Sequence, residues 1–184
     1  ATQVVTQVIV DTFGYVPEKS QALRQASPGL TRVAIQANPW LRNDVFTRFW
    51  DSHKFMAGKE YAPARRLNDE FEMELTPLMS EDKPFFAYVH YMEPHEPYTQ
   101  KHGFRGTLAP ADWKYFHPLA LCGRVSRFHD DTGRLIAEIP PAEMAAIRGM
   151  GDAYDEDVLS LDVRIGELLE MLRGCGVLEN TFII

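Results

Sequence analysis

The segment that most restricts the fold is PFFAYVHYMEPHEPY, residues 84–98. Phe85 to Val89 are apolar without alternation, so a strand built from them needs cover on both faces, as in the interior of a parallel α/β sheet. The run then empties into His90, Glu93, His95 and Glu96, with Pro94 and Pro97 interleaved. In such a sheet, side chains just past the carboxyl end of a strand face the crevice where ligands bind. Each proline fixes its own φ and biases the residue before it toward extended geometry, which holds His95 in a stiff segment.

The rest of the chain fits that architecture. Three further β-like runs are expected at Gln3–Val10, Arg32–Ala37 and Thr181–Ile184. Helical patterns lie between them. Residues 17–27 open with Pro17 near a first-turn position. Residues 64–75 place Leu67, Phe71 and Leu75 on one stripe, and Pro77 argues against continuation. From Asp155 to Gly176, Val158, Leu161, Ile165, Leu168 and Leu172 follow an amphipathic spacing. Asp155, Glu156 and Asp157 are placed to complement the positive end of the helix dipole, and Gly174 and Gly176 to stop the helix. Alternating strand and helix predict an α/β/α sandwich with a largely parallel sheet. Residues 99–140 hold no sustained period and read as an insertion or lid, with residues 1–184 forming part of a single domain.

Composition narrows the function. A formal net charge of −7 argues against a general nucleic-acid or membrane-surface binder. No stretch reaches the length of a membrane span. Cys122 and Cys175 have no metal-type spacing and no disulfide framework, and read as small core or surface residues. Asp162 reads as a cap or a bond to a neighbouring loop. Trp40, Trp50 and Trp113 read as packing residues. Because the sequence begins without Met and ends within the run Thr181–Ile184, it is expected to be part of a larger domain. Unpaired sheet edges should then make the isolated piece poorly soluble or molten.

The histidine-rich strand end admits three chemistries. His90 and His95 can bond backbone carbonyls in a tight turn. His90, His95, His102 and a glutamate can gather a metal, although no His-x-x-x-His or cysteine cluster supports this. Or a histidine can donate to an anionic oxygen in a hydrolase pocket.

Residues 84–98 closely resemble the strand-and-loop segment of the sulfatase family, in the alkaline phosphatase superfamily, with its Pro-His-x-Pro turn. VPEKSQALRQASPGLTRVAIQANPWL resembles the helix, Gly and strand that follow that family's nucleophile region. YDEDVLSLDVRIGELLEMLRGCGVLENTFII is similar to the long helix and strand leading to its second metal-binding loop. The resemblance implies a hydrolase of sulfate esters, small-molecule or glycan, with a formylglycine nucleophile and a divalent cation, usually calcium. It carries the family's substrate-contacting histidine onto His95, and assigns His90 no catalytic role.

The same resemblance marks departures. No Cys/Ser-x-Pro-x-Arg occurs: Cys122 is followed by GRV and Cys175 by GVL. Asn38 stands near the place of an expected lysine and brings no charge. Asp11 is not read as a metal ligand, because about 18 residues separate it from Gly29, too few to hold the nucleophile motif. No catalytic residue and no metal ligand is therefore assigned within the chain, and the isolated piece is expected to be inactive. A phosphate- or phosphonate-ester hydrolase or a phosphoglycerol transferase of the same superfamily, and a degenerate binding module, are the competing readings.

Overall fold

The structure, a computed structural model, describes residues 25, 28–56, 62–80, 83–98 and 103–184. The expected strand Gln3–Val10, Asp11, His102 and nearly all of the expected helix 17–27 lie outside the described residues, although Gln25 is helical. The chain divides into two compact units, Ala1–Met92 with Arg164–Ile184, and Glu93–Val163.

The first unit is organised by three parallel strands, β1 (Thr31–Gln36), β2 (Ser52–Phe55) and β3 (Phe85–His90), in the order β2-β1-β3. β1 is central, and its middle residues Val33, Ala34 and Ile35 are apolar and fully buried. This confirms the parallel α/β class. The register pairs Ile35 with Lys54 and Ala34 with both His53 and Tyr88, which sorts the side chains by face.

On one face the aromatics collect. Trp50 stacks on Phe86 (centroids 5.4 Å apart) and on Tyr88 (5.6 Å), while Phe46 meets Tyr88 edge-on. The other face is covered by α2 (Ala64–Ser80). Lys54, on the Ile35 side, reaches Glu70 and Glu74, one turn apart on α2, at 3.5 and 3.3 Å, which places that helix. Leu67, Phe71 and Leu75 of α2 are fully buried, as their spacing requires. The helix does not stop at Pro77. The carbonyl that loses its partner there belongs to Met73, whose residue is 70% exposed, so water can satisfy it.

β2 was not foreseen. Ser52, His53 and Lys54 carry no apolar run, because β2 borders the described sheet and is paired on one side. Thr181–Ile184, expected as a strand, is not one of the three strands. No described strand pairs with it, and Phe182, Ile183 and Ile184 are exposed. The chain between β1 and β2 makes a 3-10 turn (Pro39–Arg42) and the short helix α1 (Asp44–Thr47), capped by Asn43.

The second unit holds α3 (Pro118–Val125), the turn Ser126–Phe128, and the first part of α4 (Pro141–Gly174). Glu143, in the first turn of α4, takes Arg124 at 2.6 Å and Arg127 at 3.4 Å. α4 begins 14 residues earlier than expected from Asp155. Gly149 explains part of this: a Cβ there would lie 2.8 Å from the Trp113 ring, so this glycine allows close approach rather than breaking the helix. Glu156 and Asp157 are consequently deep in the helix and fully buried, not at its N-terminus. Asp162 is exposed and bonds no loop among the described residues. Of the expected stripe only Leu168 and Leu172 are fully buried, and Val158 is exposed. Cys122 and Cys175 are both exposed thiols.

Candidate functional site

β3 ends at His90. The next residue, Tyr91, is tied down before the chain turns: its hydroxyl donates to Asn68 Oδ1 at 2.6 Å, and Asn68 Nδ2 donates to the Arg164 carbonyl at 2.7 Å. The turn follows as Glu93–Tyr98, with cis bonds before Pro94 and Pro97.

His95 is exposed on this turn, and its Nδ1 lies 2.7 Å from the Glu96 carbonyl oxygen. A carbonyl only accepts, so Nδ1 carries the hydrogen, and Nε2 is the nitrogen whose protonation can change. Neutral, Nε2 accepts; protonated, it donates to an anion. This backbone bond is the tight-turn arrangement anticipated for a histidine here, and it also fixes the ring plane.

Glu96 holds the turn to its own unit. Its Oε2 accepts from the Tyr115 hydroxyl at 3.1 Å, and its Oε1 lies 3.7 Å from His117 Nε2. His117 Nδ1 accepts the Leu119 amide as the cap of α3, so its hydrogen sits on Nε2, facing that carboxylate. Tyr98 meets Tyr115 and Tyr154 edge-on, with centroids 6.4 and 5.5 Å apart. Burial, then the Glu96 carboxylate, raise the Tyr98 phenol above its ordinary range, so it acts as a neutral hydroxyl. Glu156 adds a clamp that its place in the sequence did not reveal. Its Oε1 accepts the amides of Leu108 (2.8 Å) and Ala109 (3.0 Å). Only a helix reaching back past Ala153 would have shown Ala153, Glu156, Asp157 and Ser160 as one buried face.

At the carboxyl ends of β1, β2 and β3 a second polar group forms on the aromatic face. Gln36 is fully buried, and its Nε2 lies 3.3 Å from His53 Nε2. Burial lowers the His53 pKa from its ordinary 6.5, which favours the neutral ring that accepts from this amide. Gln36 Oε1 has no hydrogen-bond partner among the described residues. His90 Nδ1 is 2.5 Å from the Tyr88 hydroxyl.

Asn38, which stands near the place of the expected lysine, caps the 3-10 turn: its Oδ1 accepts the Trp40 amide at 3.0 Å. Among the described residues no three His, Cys, Asp or Glu side chains converge as a metal site. No helix among the described residues is long and apolar enough to cross a membrane.

The comparisons with known proteins follow the same lines. The structure is similar to a phosphonate monoester hydrolase from Silicibacter pomeroyi, with TM-score 0.56 and 13% identity, over 89% of this chain and 45% of that one. It is similar also to Ps i-CgsB, with TM-score 0.50 and 14% identity, over 98% of this chain and 42% of that one. At such identities the likeness is one of fold, and the chain spans less than half the length of either protein. No curated protein sequence matches it. The sulfatase family model matches residues 18–184, which takes in β1, β2, β3, both long helices and the His95 turn: the chain belongs to the sulfatase family.

Proposed function

We propose that the chain forms part of the catalytic domain of a hydrolase that cleaves sulfate esters, small-molecule or glycan, and that His95 contacts the transferring group. The family match across residues 18–184 carries the reaction class. The bond from Nδ1 to the Glu96 carbonyl supports the role of His95, because it orients the ring and assigns any ligand contact to Nε2. In transfer, an incoming oxygen from a nucleophile not assigned to this chain bonds to sulfur as the bond between sulfur and the leaving oxygen breaks, and charge moves onto the leaving oxygen. The Nε2–H of the protonated ring, held at hydrogen-bond distance, stabilises this charge without having to reorient.

The formylglycine nucleophile and the divalent cation, calcium by resemblance, are not assigned to residues of this chain. In this reading residues 99–140 are an insertion within one catalytic domain and bear on substrate choice.

The test is hydrolysis by the protein expressed from its whole reading frame. Turnover of 4-nitrophenyl sulfate should exceed that of 4-nitrophenyl phosphate and of a phenylphosphonate ester. His95→Ala should lower kcat/KM by about 10²-fold or more. Preference for a phosphate or phosphonate ester would move the assignment to those substrates. Absence of turnover on all three would leave a non-catalytic binding module.

A further inference from the structure

Pro94 and Pro97 stiffen the His95 turn from within, but stiffness does not fix where a turn points. Glu96 links it to something firmer. Its backbone carbonyl accepts from His95 Nδ1 at 2.7 Å, and its carboxylate accepts from the Tyr115 hydroxyl at 3.1 Å. The oxygen that sets the plane of the imidazole and the carboxylate that reaches away from the turn thus belong to one residue. The phenol that takes this carboxylate comes from the stretch 99–140, which has no sequence period of its own.

Tyr115 is itself braced. Its ring meets those of Tyr98 and Trp113 edge-on, with centroids 6.4 Å away in each case. Tyr98 in turn meets Tyr154 at 5.5 Å, and a Cβ on Gly149 would lie 2.8 Å from the Trp113 ring. Tyr154 and Gly149 both stand on α4, so the helix supports Tyr115 through two rings. Every one of these residues lies in the unit Glu93–Val163. His117 Nε2, at 3.7 Å from the other Glu96 oxygen, is beyond hydrogen-bond reach and adds attraction alone. Tyr115 makes the firmer tie.

We propose that Tyr115 is a positioning residue for His95. It touches no reacting atom and acts through Glu96. Without its O–H the turn keeps its prolines and the bond from His95 to the Glu96 carbonyl, but swings as a body and carries Nε2 from its place. The inference rests on the role given to His95 above, and gives the insertion a part in the reaction distinct from substrate choice.

Kinetics on the protein expressed from its whole reading frame test it, with 4-nitrophenyl sulfate as substrate. Tyr115→Phe removes one oxygen and keeps the ring. It should lower kcat about tenfold with little change in KM, because placement at the transferring group matters most in the transition state. Glu96→Ala should do the same, while Glu96→Gln, whose amide oxygen still accepts from Tyr115, should recover most of the loss. In a His95→Ala background Tyr115→Phe should change kcat/KM by about twofold at most, since no ring is left to place. A tyrosine that merely held the fold together would cost about tenfold with or without His95, and that result overturns the proposal.

A second readout does not depend on turnover. NMR relaxation of the His95 ring should show wider motion in Tyr115→Phe than in the wild type, with the far-UV circular dichroism unchanged. A ring equally ordered in both also overturns the proposal. If His95→Ala lowers kcat/KM and Tyr115→Phe does not, the assignment of Tyr115 falls alone. If His95→Ala leaves kcat/KM unchanged, or no ester is turned over, the functional reading falls, and the motion of the ring decides whether Tyr115 positions it.

Discussion

Removing Asn68 should unfasten the end of β3 from α2, and the cost can be worked from its bonds. Asn68 is 4% exposed, accepts from Tyr91 and donates to the Arg164 carbonyl. Asn68→Ala loses two hydrogen bonds, each worth about 1 kcal/mol net, for about 2 kcal/mol. Tyr91→Phe loses one bond and strands Asn68 Oδ1, also for about 2 kcal/mol. The double variant loses the same two bonds and strands no Asn68 oxygen, so it should be no less stable than Asn68→Ala. The cycle therefore contains a coupling of about 2 kcal/mol. Urea unfolding followed by circular dichroism gives the four stabilities. Additivity to within about 0.5 kcal/mol would refute the reasoning, because the two side chains would then not depend on one shared bond.

Other perturbations have equally definite signs. Glu156→Ala strands the amides of Leu108 and Ala109, and should cost about 3 kcal/mol while speeding hydrogen exchange at those two amides above all others. Gly149→Ala gains about 1 kcal/mol of helix propensity, but its Cβ would fall 2.8 Å from the Trp113 ring; displacing the indole costs about 1–3 kcal/mol, so the variant should be less stable, with red-shifted tryptophan emission. His53 has a folded pKa depressed below 6.5, so the unfolded chain takes up a proton first as the pH falls. Its contribution is complete above 6.5 and is lost as the pH drops toward the folded value. Unfolding titrations at pH 7.5 and 5.5 should show a smaller loss in His53→Gln than in the wild type.

What could be read from the sequence follows the density of apolar residues. β1, β3 and α2 declare themselves because each fills its buried face with hydrocarbon. β2 does not, since Ser52, His53 and Lys54 owe their place to pairing with β1 and to the glutamates of α2. The first turns of α4 were hidden by Gly149 and Gly151, which look like breakers until Trp113 is seen against one of them. Glu156 and Asp157 look like dipole-compensating surface charges only if the helix starts beside them. Trp50 packs as expected, while Trp40 does not, and nothing in their neighbouring residues separates the two. The difference lies in the asparagines on either side of Trp40, whose bonds appear only in the folded turn.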